Sequence, residues 1–344
     1  MAASRKLALP IVAAAAAALL ACGGAGPEAP APPPGPYARP TYTRLSETGL
    51  FSDLAALKVG AGTLAFEPTH KLWSDAAAKR RWVRLPRGTQ IDTSDMDHWV
   101  FPVGTKLWKE FSKDGVLLET RLVERYGLGP EDYWMGAFVW NADRSDAVLA
   151  EGGAADVNGS AHDVPSQKDC GLCHRGDAGR VLGLSAIQMS RPRGTGEGPA
   201  LAELAAMKLL SSPPASPDPG FVVPGDATTA AALGYLHANC GHCHNLHGTS
   251  WPDTQMVLRL TVAEQDPSKS ELYTTTVGTP LQYWRGGAIT DRVKAGDPDA
   301  SAILARMKLR GTKDQMPALA TEIVDPIGVS LIAQWIVALP DTTQ

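Results

Sequence analysis

Two short stretches of the chain carry thiols and imidazoles at a spacing that few cofactors use. Cys170-Gly171-Leu172-Cys173-His174 and Cys240-Gly241-His242-Cys243-His244 both read Cys-x-x-Cys-His, the attachment pattern of c-type haem. Two thiols on one helical turn can each form a thioether to a haem vinyl group, and the adjacent imidazole then lies beneath the iron. Cys170, Cys173, Cys240 and Cys243 are therefore the expected thioether carriers of two covalently bound haem c groups, with His174 and His244 as proximal iron ligands. Two Cys-x-x-Cys pairs could also hold one tetrahedral zinc, but that would leave both adjacent histidines unexplained.

The cysteine accounting favours haem. Of the five cysteines, four lie in the motifs and the fifth is Cys22, so no disulfide framework is left to build. Cys22 closes an N-terminal stretch that reads as an export signal. Arg5 and Lys6 form a short basic region, Leu7 to Leu20 an apolar run rich in alanine, too short to cross a bilayer comfortably. Leu19-Leu20-Ala21-Cys22 resembles the lipobox of bacterial lipoproteins, which implies a signal peptide over 1–21, lipidation at Cys22 and a membrane anchor. Export and the haem motifs support each other, because c-type haem is attached outside the cytoplasm.

Composition sets the remaining bounds. At 344 residues, with 44% hydrophobic and 20% charged residues, the chain has room for more than one domain. Its formal net charge of -4 offers no basic face for nucleic acid. Residues 22–40 form a linker rich in Pro, Ala and Gly, suited to extended structure.

Residues 41–160 read as β-rich. A short helix is expected from Ser46 to Leu57. Strands follow over Arg80–Leu85, His98–Phe101, Lys106–Phe111, Val116–Tyr126, Tyr133–Trp140 and Ala147–Glu151. Asp114-Gly115 is a hairpin signal between two of them. Such spacing predicts a β-sandwich-like domain, with Trp73, Trp82, Trp99, Trp108, Trp134 and Trp140 in its core. Residues 161–224 form a first haem-binding segment, and 225–344 a helical domain. Its helices are expected from Asp226 into the second motif, from Asp299 or Ser301, and from Asp325-Pro326 to Leu339. The fold class is thus α+β and multidomain.

Asp226 to Leu339 resembles a cytochrome c domain: a helix with Gly234 and Tyr235 leads into Cys240, and a closing helix carries Trp335. In that fold the first and last helices cross closely at a small residue. Asp314-Gln315-Met316-Pro317 resembles the loop that presents the distal methionine, which implies Met316 as the distal ligand of the second haem. The first motif lacks space for a complete cytochrome domain, so its haem is expected where the two regions meet. Met189, nearest in sequence, is its first candidate distal ligand, with Met207, Met256, His162, His237 and His247 as alternatives.

More widely, residues from Thr41 to Leu339 resemble a bacterial family of exported dihaem c-type cytochromes with a β-rich N-terminal domain. The matching stretches include Lys71-Leu72-Trp73-Ser74-Asp75-Ala76, Phe101-Pro102-Val103-Gly104-Thr105, Tyr235 through His244, Gly296-Asp297-Pro298 and Gln315-Met316-Pro317. Some relatives accompany quinoprotein sugar dehydrogenases, which implies an electron-accepting role. The expectation is a lipid-anchored carrier of single electrons between periplasmic or outer-membrane redox partners. The alternative is a haem enzyme, either peroxidase-like or the cytochrome subunit of a dehydrogenase, with an open-coordinate iron at His174.

Overall fold

Alternating apolar and charged residues build a twisted antiparallel sheet in the N-terminal half of the chain. The computed structural model describes residues 38–284 and 286–340; Cys22 and the expected signal lie outside them. β1 (Phe51–Asp53) pairs with β2 (Lys58–Val59). β3 (Leu64–Ala65), β4 (Ala78–Arg84), β5 (Lys106–Lys113), β6 (Val116–Arg125), β7 (Tyr133–Trp140) and β8 (Ala147–Leu149) form a six-stranded meander in sequence order. The β5–β6 turn carries Asp114 at φ 50° and Gly115 at φ 80°, the positive values that a tight hairpin needs.

The two faces of this sheet differ. Side chains two apart share a face, so Trp82, Trp108, Leu122, Trp134, Phe138 and Trp140 point one way and are buried with Leu45 and Leu50. The β1–β2 ribbon packs over them through Phe51 and Val59, completing a two-layered arrangement. Arg81 pairs with Lys109, and Lys109 with Arg121, which places three cations in one row on the opposite face.

Two local expectations fail. Instead of a helix from Ser46 to Leu57, a single 3-10 turn covers Leu45–Thr48 and β1 follows. Gly49 at φ 78° ends the turn, and Leu50 is drawn into the tryptophan cluster. His98 to Phe101 forms no strand; only Val100 bridges to Asp92, although Trp99 and Phe101 are buried. Trp73 is only partly buried, unlike the other five expected core tryptophans.

The rest of the chain is helical. Its elements are α1 (Cys170–His174), α2 (Ala186–Met189), α3 (Leu201–Ala206), α4 (Ala227–Asn239), α5 (Trp251–Thr254), α6 (Glu271–Thr274), α7 (Ala302–Met307) and α8 (Pro326–Ala338). The caps follow the sequence signals: Asp226 accepts from Thr229 N at 2.7 Å, and Asp325 accepts from Ile327 N and Gly328 N, each satisfying otherwise orphaned donors. Among the described residues no helix is long and apolar enough to cross a membrane.

α4 and α8 pack together around Leu233, Leu236, Ile332, Trp335 and Ile336. The small residue at their crossing is Gly328, since a Cβ there would lie 2.3 Å from the Tyr235 ring. Gly234 instead lies under His70. Tyr235 Oη also donates to Asp325 at 3.1 Å. Gly328→Ala should therefore lower stability by about 1–3 kcal/mol, the usual cost of overpacking. An unchanged calorimetric midpoint would contradict the close crossing.

Candidate functional site

The second motif begins where α4 ends. Cys240 is the residue after its last turn, and the chain keeps turning, with His244 N donating to Cys240 O at 2.9 Å. Cys240, Cys243 and His244 then line one side of a cavity of about 650 Å3. That volume is in the range of cofactor pockets. Burial holds the His244 imidazole down at about 4 and pushes the Cys240 thiol up to about 12. A neutral imidazole keeps a lone pair for a metal.

Met316 reaches the same cavity from the loop before α8. That loop is pinned: Met316 N donates to Arg306 O at 3.1 Å, Gly311 N to Gln315 Oε1 at 2.8 Å, and Gln315 Nε2 to Thr321 O at 3.1 Å. Met256 and Met307 also line the cavity. Both belong to the apolar core around α4 and α8, whereas Met316 does not. Met307 had no motif to mark it in the sequence.

The first motif is α1 itself. His174 Nδ1 donates to Arg180 O at 2.7 Å, which fixes the tautomer and leaves Nε2 as the lone-pair donor. Burial lowers this imidazole to about 4. Cys170 and His174 line a smaller cavity of about 170 Å3 with Tyr133, Met135, Arg175 and Arg180. The Tyr133 hydroxyl is buried and has no hydrogen-bond partner among the described residues. Met135, on β7, is a thioether that only the fold brings to this motif.

The expected distal ligands of the first motif are placed elsewhere. Met189 is fully buried in the core beside Val83, Leu107 and Leu184 and lines neither cavity. It is near the motif in sequence, but α2 turns it into the sheet-side core. His162 Nε2 lies 2.7 Å from Glu119 Oε1, and His237 Nδ1 accepts from Leu260 N at 3.0 Å. Met207 and His247 are exposed, while Met256 is at the second motif.

The two motifs meet. The donor atoms of Cys173, His242 and Cys243 all lie within 4.8 Å of one another. The Cys173 thiol is pushed up to about 12, by the neighbouring Cys243 thiol and by burial. Leu172 and Cys173 line the larger cavity beside the second motif's own residues, and Thr249 Oγ1 donates to Leu172 O at 3.0 Å. Three donors fall one short of a closed structural zinc site, and two cysteines with one histidine are a set that zinc can use with water as the fourth ligand.

A loop from the β-rich region straps this assembly. Asn239, directly before the second motif, accepts from Trp73 N at 2.6 Å and donates to Lys71 O at 3.1 Å. Trp73 Nε1 donates to Ile323 O, and Asp75 accepts from Glu322 N and Ile323 N. The same loop thus holds both the motif and the approach to α8, which gives Lys71 to Asp75 a structural role.

No family model matches the chain, and neither a curated protein nor a solved structure is significantly similar to it. What the residues can do is set by their chemistry. Each motif offers two thiols beside an imidazole that burial holds below its ordinary value, and the larger cavity adds thioethers from its walls. Such a set could hold a metal ion or a metal-bearing group.

Proposed function

We propose that this protein is a dihaem c-type cytochrome lipoprotein, anchored through Cys22, that passes single electrons between periplasmic or outer-membrane redox partners. Cys170 and Cys173 would carry one haem with His174 as proximal ligand. Cys240 and Cys243 would carry the other, with His244 proximal and Met316 distal. Bound haem supplies the reversible one-electron couple; the chain sets its potential through ligands, charge and burial.

The observation that carries this reading is the approach of Cys173 to Cys243. In c-type haem the thioether carbons belong to the macrocycle, so Cys173 and Cys243, whose sulfurs lie within 4.8 Å of each other, would hold the two groups close together. A relay of single electrons depends on that nearness. The hydrogen bond from Thr249 Oγ1 to Leu172 O ties the segment after the second motif to the first.

A second reading has its own observation. Tyr133 lines the same cavity as His174 and its hydroxyl has no hydrogen-bond partner among the described residues; it would suit hydrogen bonding to a small ligand on an open iron, as a peroxidase-like enzyme or the cytochrome subunit of a dehydrogenase would require. Carbon monoxide added to the reduced, haem-loaded protein separates the two. Electron carriage predicts unchanged spectra from both centres. A full shift of one centre would overturn it in favour of catalysis at His174.

A further inference from the structure

The place where the two motifs meet has a chemistry of its own. Among the described residues, Cys173, His242 and Cys243 are the one group of metal-ligating side chains whose donor atoms all lie within 4.8 Å of one another. Zinc bonds of about 2.0–2.3 Å put the donors of a tetrahedral site roughly 3.5–3.8 Å apart, so side-chain movement of about 1 Å closes these three on one ion. His242 is free for this work. It stands between the two cysteines of the second motif, at a position where the haem-attachment pattern accepts any residue.

The backbone holds the three donors together. Gly176, just past the first motif, packs against the second, where a Cβ would lie 2.6 Å from His242 O and 2.7 Å from Asn245 Nδ2. Asn245 Nδ2 donates to Gly241 O at 2.8 Å and to His242 O at 3.2 Å, which fixes the turn that carries two of the donors. Thr249 Oγ1 donates to Leu172 O, the residue before the third.

All three side chains are half-buried and line the cavity of about 650 Å3. An ion therefore has an entry path, and a water has room to complete the coordination. Two sulfurs and an imidazole select zinc-like ions over calcium or magnesium, which take oxygen ligands.

We infer that Cys173, His242 and Cys243 bind one thiophilic divalent ion of the zinc class in the chain that has not yet received haem, bridging the two motifs. Binding turns two thiols into thiolates and releases two protons, with no change of oxidation state. The site stands on its own donors. Only its consequence rests on the dihaem reading: the same two sulfurs end as thioethers there, so ion and haem exclude each other.

The test uses the full chain produced without haem attachment and kept under a non-thiol reductant, with cobalt(II) as the probe. One equivalent should bind, give a sulfur-to-cobalt charge-transfer band and be displaced by zinc(II). His242→Ala, Cys173→Ser and Cys243→Ser should each weaken binding roughly tenfold or more, since even groups behind the ligands of a metal site contribute that much. Cys170→Ser and Cys240→Ser should bind as the wild type does. Absence of the band overturns the site, as does a wild-type chain that stays unfolded with either ion. So does a loss in Cys170→Ser or Cys240→Ser as large as in Cys173→Ser, which would give the ion to a whole Cys-x-x-Cys pair. In a host that attaches c-type haem, His242→Ala should carry the same number of haems as the wild type. A lower count places His242 in the haem site and overturns the assignment. A wild-type chain that takes up cobalt yet matures without haem overturns the dihaem reading and leaves the ion site in place.

Discussion

Chain matured in a host that attaches c-type haem should exceed the polypeptide mass by two haems, and each cysteine pair should account for one of them. Replacing Cys170 and Cys173 by alanine should leave one haem; replacing Cys240 and Cys243 should leave the other. This division is sharp because Cys173, His242 and Cys243 converge within 4.8 Å. A single metal held by that group draws one donor from the first motif and two from the second. Either double replacement would then abolish all binding instead of half. The two variants should also differ in stability. The pocket at the second motif, about 650 Å3 against about 170 Å3 at the first, offers its group far more wall to contact, so the Cys240/Cys243 variant should lose more stability than the Cys170/Cys173 variant and become protease-sensitive in its helical region. Equal haem loss from both variants, or none, would overturn the two-haem assignment.

Met316→Ala should abolish the methionine-to-iron charge-transfer band and lower one midpoint potential by more than tenfold in equilibrium constant, above ~59 mV for one electron. Histidine–methionine ligation raises the potential of haem iron, and water or a weaker donor in its place favours the ferric state. Met307→Ala is the matching control. Met307 is buried in the core of α4, α7 and α8, so its truncation should cost about 2–5 kcal/mol and leave the band intact. Met316 is half-buried on a loop held by Gln315 and Arg306, so its loss should be spectroscopically severe and thermodynamically mild. If the band survives in Met316→Ala and disappears in Met307→Ala, the distal assignment moves to α7.

The pattern of success in reading the sequence follows the range of the forces involved. β7, the β5–β6 hairpin and the starts of α4 and α8 were legible because alternation, Asp-Gly and capping aspartates act within a few residues. Each motif was legible for the same reason, as five consecutive residues with one chemistry. The helix expected after Ser46 was not, since Leu50 and Phe51 belong to a tertiary cluster with tryptophans from three strands. Met189 illustrates the same limit at the site: nearness in sequence to Cys173 suggested a ligand, while α2 places it among Val83, Leu107 and Leu184. Met135 and the Arg81–Lys109–Arg121 row carry no local mark. They exist only once strand register is set, and register depends on pairing between segments far apart in the chain.

Cys173 and Cys243 are also each other's nearest chemical hazard. Their sulfurs lie within 4.8 Å of each other, and two thiols so placed would close a disulfide wherever the surroundings are oxidising. That bond would take one sulfur from each motif and leave both with a single thiol, unable to complete two thioethers. On the dihaem proposal, folding and loading of this chain would run in a set order. Either the first motif is loaded as it emerges, before the second arrives beside it, or a reductant reopens the pair. The same nearness that would let electrons cross in the finished protein makes the unloaded chain a kinetic trap.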